Sequence, residues 1–306
     1  MMVLNFKRMF VFTLLFLLTM GINAQQDKMF AAYTFLKSGN LDSAKFNIEL
    51  VVLNTETANN VDAWSIRAFL YKEIYNKKEK LDVNSPSRII ALNSFKKILQ
   101  LDPKQKVDGN TMQAIKYLVN TLNTNVVDNL DTINYNVAIN VFENYKEYYP
   151  LVDTSSVNLQ KRNNDFLMAL ASVYTEIYKA NKTKIEFLTL EKNTLLKVLL
   201  NDPNNISVNY NLGILYYNQA VTLITQQDFD LDLVALSQIQ DNSIILFKQA
   251  LPFMEKANSL IDQSLSTQDP RRKETLRGLS GIYFSLNEPE MSNKFKQKLE
   301  ELDNQK

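Results

Sequence analysis

The chain has 306 residues, 45% of them apolar and 10% aromatic, and a formal net charge of +1 from 34 basic and 33 acidic side chains. That apolar content excludes a disordered chain, and so even a charge lacks the basic footprint of a nucleic-acid binder, so no nucleic-acid partner is expected. Neither cysteine nor histidine occurs, which excludes disulfides, thiolate metal sites, a cysteine nucleophile, a lipoprotein anchor and imidazole catalysis.

Lys7 and Arg8 precede an apolar run from Met9 to Met20, and Ala24 supplies the small residue that cleavage needs. Residues 1–24 therefore read as a signal peptide, leaving 25–306 as one helical repeat domain in the periplasm or outside the cell. The run is short for a bilayer span, and no later stretch is longer, so no transmembrane segment is expected after cleavage. Only 6 glycines and 7 prolines follow the pattern of long helices joined by polar turns.

The elements come in pairs. Ala31, Ala32 and Phe35 share one helical face, Gly39-Asn40 breaks the helix, and a second helix runs from Asp42 to Leu53. Trp64, Ala68 and Tyr71 share a face in the next pair. The polar segment Asn76 to Ser87 follows, with Ser85-Pro86 as N-cap and first turn of the second helix. A third pair spans about Asn110 to Pro150, with an Asn- and Asp-rich linker from Asn123 to Asn134. The fourth aligns Leu167, Leu170, Ala171 and Tyr174 and stops at Asn201-Asp202-Pro203. The fifth starts at Ile206, aligns Leu212, Gly213 and Tyr216, loops over Gln226 to Asp241, and continues through Ala250, Met254 and Ala257. The last spans about Arg271 to Leu302, with Leu276, Leu279 and Tyr283 on one face.

A spacing recurs in the second helix of these pairs. Ala91, Phe95, Ile98 and Pro103 stand at offsets 0, +4, +7 and +12, and Ala138, Phe142, Tyr145 and Pro150 repeat them. Ala44, Ile48 and Val51 match the first three, and Leu195, Val198 and Pro203 the last three. Ala91 lies 47 positions after Ala44, Ala138 another 47 on, Glu191 holds the same place 53 further on, and Ala250 another 59. One supersecondary unit has been copied and stacked, with the drift placed in the turns. The expected fold is all-α, an α-solenoid of about six helix-turn-helix units.

These offsets resemble the tetratricopeptide repeat. Asn209, Leu212, Gly213 and Tyr216 follow that family's first helix except at Asn209, and Trp64, Ala68 and Tyr71 follow it with Arg67 in the Leu place. Asn-Leu-Gly-x-x-Tyr, a polar insertion, then Ala250 to Ala257 is similar to exported bacterial members. The units here are longer than the family's 34 residues, so longer helices or turns are expected. The resemblance implies a non-enzymatic scaffold that binds a protein or peptide partner on its concave face, in envelope assembly or transport. By the family's register Ser65, Phe69 and Lys72 in the second unit line that groove, with Met168, Ser172 and Thr175 in the fourth and Tyr210, Ile214 and Tyr217 in the fifth. The same stripe could instead pack on the neighbouring unit. The alternative function is a glycan- or small-ligand-binding surface protein, with Tyr210 and Tyr217 stacking on sugar rings.

Other chemistry is sparse. Asp228 to Asp232 starts like a calcium loop but has Leu233 and Ile239 where Gly and Glu are required. Glu143 and Glu147 have the spacing of an exposed helix face. The sequons at Asn181 and Asn205 are what an Asn-rich chain yields by chance. No catalytic residue, metal or cofactor is expected, and nothing fixes the oligomeric state.

Overall fold

The computed structural model of the chain describes residues 24–102, 109–225, 232–264 and 269–304. All but Ala24 of the expected signal segment lies outside them, as do Pro103 and residues 228–231 of the calcium-like stretch. The described residues form an all-α structure with no strand. Residues 24–38 make α1. Then come α2 (Leu41–Leu53), α3 (Val61–Ile74), a π-helical turn (Tyr75–Glu79), α4 (Pro86–Leu101), α5 (Gly109–Asn129) and α6 (Tyr135–Tyr148). A 3-10 turn (Tyr149–Leu151), α7 (Ser156–Ala180), α8 (Glu186–Asn201), α9 (Ile206–Thr225), α10 (Leu233–Gln263), α11 (Arg271–Ser285) and α12 (Pro289–Asn304) complete it. These are the six expected pairs, and in each we call the odd-numbered member helix A and the even-numbered member helix B.

Local chemistry sets the breaks. Gly39, at φ +80°, lets Asn40 N–H return to Phe35 O at 2.9 Å, and Asn40 then caps α2 by accepting from Ser43 N–H. Asn287, at φ 60°, makes the same kind of stop between α11 and α12, where Glu288 N–H donates to Tyr283 O. Asn60, Ser85, Asn205 and Asp232 cap α3, α4, α9 and α10 through backbone N–H groups two or three residues into each helix. Glu79 accepts from Ser85 Oγ, Ser87 N–H and Ser87 Oγ at 2.7–3.0 Å at the start of α4. Burial opposes its charge, yet these hydrogen bonds outweigh it and hold the Glu79 pKa below the usual carboxylate range.

Three boundaries differ from expectation. Leu122 and Val126 extend the buried stripe of α5, so the Asn-rich stretch stays helical to Asn129. The α3 helix runs on through the π-helical turn, shortening the Asn76–Ser87 loop. Asp232 caps α10 at Leu233, so helix occupies half of the expected 226–241 loop, and α10 reaches 31 residues despite the interior Pro252. The extra repeat length thus sits in helices as well as turns.

The chain divides into two compact units, a division its even composition did not announce. Among the described residues, unit 1 holds 24–102, 109–129 and 136–159, and unit 2 holds 130–135, 160–225, 232–264 and 269–304. In unit 1, α3 packs on α2 and α4, and α5 on α3 and α4. The repeat anchors Ala44, Ile48, Val51, Ala91, Phe95 and Ala138 are buried completely. Phe69 meets Phe95 edge-to-face at 5.5 Å. Arg67, standing in the Leu place, is held by Glu49 of α2 through Nε at 2.9 Å and Nη2 at 3.3 Å, and donates to Ser94 Oγ of α4 at 2.8 Å. Tyr71 also donates to Glu49, at 2.8 Å, and burial, followed by that carboxylate, raises its pKa. A polar clamp therefore joins three helices where the family pattern would put an aliphatic contact. The Tyr148 hydroxyl donates to Asn93 Oδ1 at 2.9 Å, tying α6 to α4.

In unit 2, α9 packs on α8 and α10, and α11 on α9, α10 and α12. The crossing needs glycine. A Cβ at Gly213 would stand 3.1 Å from Met254 Cε and 3.3 Å from the Met254 backbone nitrogen, and one at Gly278 would stand 2.9 Å from the same Cε. Met254 therefore fills the gap between α9 and α11 that the missing side chains leave. Tyr135, Tyr174 and Phe187 form a ring cluster at 5.5–6.1 Å. Tyr283 donates to Glu255 of α10, five positions beyond Ala250, as Tyr71 does to Glu49, five beyond Ala44. Each of these first-helix tyrosines is thus locked to the preceding second helix.

Candidate binding clefts

Among the described residues, a cleft lies beside helix A faces in each unit. In unit 1 a cleft of about 1290 Å³ is walled by α1, α3 and α5, with the 76–80 turn at one end. Ser65, Phe69 and Lys72, three of the expected groove residues, lie in its α3 wall. Tyr33 from α1 and Tyr117 from α5 face the same space. Lys37, Lys72, Lys77 and Lys80 line it against a single acid, Glu73. Lys72 sits 3.8 Å from Glu73 and 5.8 Å from the Tyr117 ring, and Lys37 lies 5.4 Å from the Tyr33 ring. Tyr117 donates its hydroxyl to Asn76 Oδ1 at 2.8 Å, which fixes the ring at the rim.

In unit 2 a smaller cleft, about 380 Å³, lies among α7, α8 and α9. Ser172, Thr175 and Ile214 line it. Both hydroxyls donate back to their own helix, Ser172 to Met168 O and Thr175 to Ala171 O. Met168 itself packs with the α8–α9 core around Leu195, Val198 and Leu212. Tyr210 and Tyr217 do not line this cleft. They pack against the cluster of Phe247, Met254 and Leu279, Tyr217 at 5.7 Å from the Phe247 ring and against Gly281, where the lack of a Cβ makes room for its hydroxyl. The stripe is thus divided: Ile214 packs on the same cluster but also lines the cleft, whereas the two tyrosines serve only the contact with α10 and α11.

By register alone, Glu191 is only a spacing marker. It lies on α8 and lines the cleft, with 7% of its surface exposed. Burial drives its pKa up to about 7, although Thr175 and Lys179 favour the charged form. The available signal was its column, since four other copies have alanine there. Asn211 and Asn218, seven apart on α9, also line the cleft.

Other candidates are structural. Glu143 pairs with Lys146 at 2.8 Å and Glu147 with Lys96 at 3.1 Å. Asp232 is the α10 cap, and Asn205 the α9 cap. Among the described residues no cluster of His, Cys, Asp or Glu could hold a metal ion, and no helix is long and apolar enough to cross a membrane.

No family model matches the chain, and no curated protein matches it. Among solved structures it is similar to PilW, a widely conserved type IV pilus biogenesis factor, at 15% identity and a TM-score of 0.26, over 90% of this chain and 92% of PilW. A monomeric IFIT1 mutant with m7Gppp-AAAA aligns at 14% identity and a TM-score of 0.27, over 88% of this chain and 58% of IFIT1. Superpositions this loose transfer neither partner nor activity to this chain.

Proposed function

We propose that the protein is an exported, non-enzymatic, tetratricopeptide-like scaffold that holds an extended segment of a partner protein along its helix A faces, in envelope assembly or transport. The observation that carries this reading is the unit 1 cleft. Three successive A helices wall it, and they supply rings from Tyr33, Phe69 and Tyr117 beside lysines and amides. An extended peptide can bury side chains against such rings while amides and lysines satisfy its backbone carbonyls. Export rests on the N-terminal sequence pattern. Sugar stacking on Tyr210 and Tyr217 gains no support, because both rings are packed against α10 and α11 residues.

The test is peptide display on the purified chain and on a cleft-blocked variant, Ser65→Trp with Lys72→Glu. Sequences enriched on the parent and lost on a folded variant are expected. No enrichment, or equal enrichment on both, overturns the reading.

A further inference from the structure

The α7–α8–α9 cleft contains an acid that no part of the packing requires. Ala44, Ala91, Ala138 and Ala250 occupy the equivalent position in four other second helices and are buried completely. A small residue there lets helices approach, so a carboxyl at the same place is a departure from the packing rule. Glu191 is more than nine-tenths buried, and its carboxyl lies beside Thr175 and Lys179, both cleft residues.

The cleft's own cations have partners of their own, although Lys179 still favours the charged form of Glu191. Lys179, on α7, pairs with Glu176 of the same helix at 3.0 Å. Lys182, in the turn before α8, sits 4.2 Å from the centre of the Tyr178 ring. Helix α9 contributes Asn211, Asn218 and Gln219 but no charged group. Among the described residues no lysine or arginine nitrogen comes within ion-pair distance of Glu191. Beside it, Leu188, Leu195 and Leu215 offer an apolar wall.

We infer that this cleft binds an alkylammonium group, with Glu191 as its counter-ion, the leucine wall against its methylene stem, and the α9 amide oxygens accepting the remaining ammonium hydrogens. A carboxylate or phosphate ligand would meet Glu191 as a like charge. An ammonium ion instead supplies the direct counter-charge that the Thr175 hydroxyl and Lys179, which forms no ion pair with Glu191, do not. The group could arrive on a free amine or on a lysine side chain of a partner. The inference rests on the unit 2 cleft alone and stands whether or not the unit 1 cleft holds a peptide.

The experiment is calorimetric titration of the full chain at pH 6 and pH 8 with n-butylamine, N-acetyl-lysine amide and the uncharged N-acetyl-norleucine amide. Both amines stay protonated across that range, whereas Glu191 ionises near pH 7, so binding should tighten about 10-fold from pH 6 to pH 8. Glu191→Gln, which keeps the shape, should remove that pH dependence and weaken binding at pH 8 at least about 10-fold, with an intact circular dichroism spectrum. The norleucine analogue should not bind. Equal binding of the two amines assigns a free amine, and tighter binding of the lysine amide assigns a partner's lysine; either supports the inference. Absence of binding by the folded chain, binding unaffected by Glu191→Gln, or equal binding of the norleucine analogue overturns it.

Discussion

Two half-buried-to-buried glutamates on second helices, Glu49 in unit 1 and Glu191 in unit 2, meet opposite surroundings. Glu49 is gripped through two guanidinium nitrogens of Arg67 and by the Tyr71 hydroxyl, and its side chain keeps 28% of its exposure. Glu191 keeps less exposure and has the Thr175 hydroxyl beside it but no guanidinium or ammonium pair. The first acid joins helices, and the second is a cost to the fold. The contrast separates a polar residue that belongs to the architecture from one that belongs to a site.

Substituting the two acids should therefore move stability in opposite directions. The larger effect belongs to Glu191. Its folded-state pKa, about 7, lies above its ordinary 4.5, so the folded protein keeps a proton that the unfolded chain has released. Stability contributed at this position is lost as pH rises from the unfolded value through 7, and the loss is complete above that. Glu191→Gln should raise stability at pH 8 by up to about 3 kcal/mol and leave it unchanged at pH 4, measured by urea unfolding. An equal difference at both pH values would mean that the acid is not held in the way described.

Glu49→Gln is the opposite case. It leaves Arg67, with a side chain only 16% exposed, without its counter-charge, and should cost about 2 kcal/mol by the same measurement at pH 7. A neutral result would show that the clamp joining α2, α3 and α4 contributes nothing, and would erase the distinction between the two acids.

Much of this architecture was open to reading because packing imposes a period. Ala44, Ala91, Ala138 and Ala250 had to be small, Gly39 had to turn, and Ser85-Pro86 had to start a helix, so each left a mark in the residue order. Helix lengths were harder, since Asn-rich segments such as 123–129 look like loops until Leu122 and Val126 are seen to continue a stripe. The clefts were legible in part. Ser65, Phe69 and Lys72 follow from register, because α3 has cleft on one side and partner helix on the other. Tyr210 and Tyr217 share the α9 stripe with Ile214, but Gly281 opens a slot for Tyr217 that only the α11 backbone creates. Glu191 stood out as an exception in its column, yet its meaning depends on which lysines find other partners, and that is a matter of three-dimensional geometry.

The scaffold reading predicts where a partner sits, and hydrogen exchange on the full chain with a display-selected peptide measures it directly. Slowed exchange should concentrate at residues 33–39, 65–80 and 110–117, the three walls of the unit 1 cleft. Protection confined to second helices such as α4 and α6, with those walls unchanged, would contradict it.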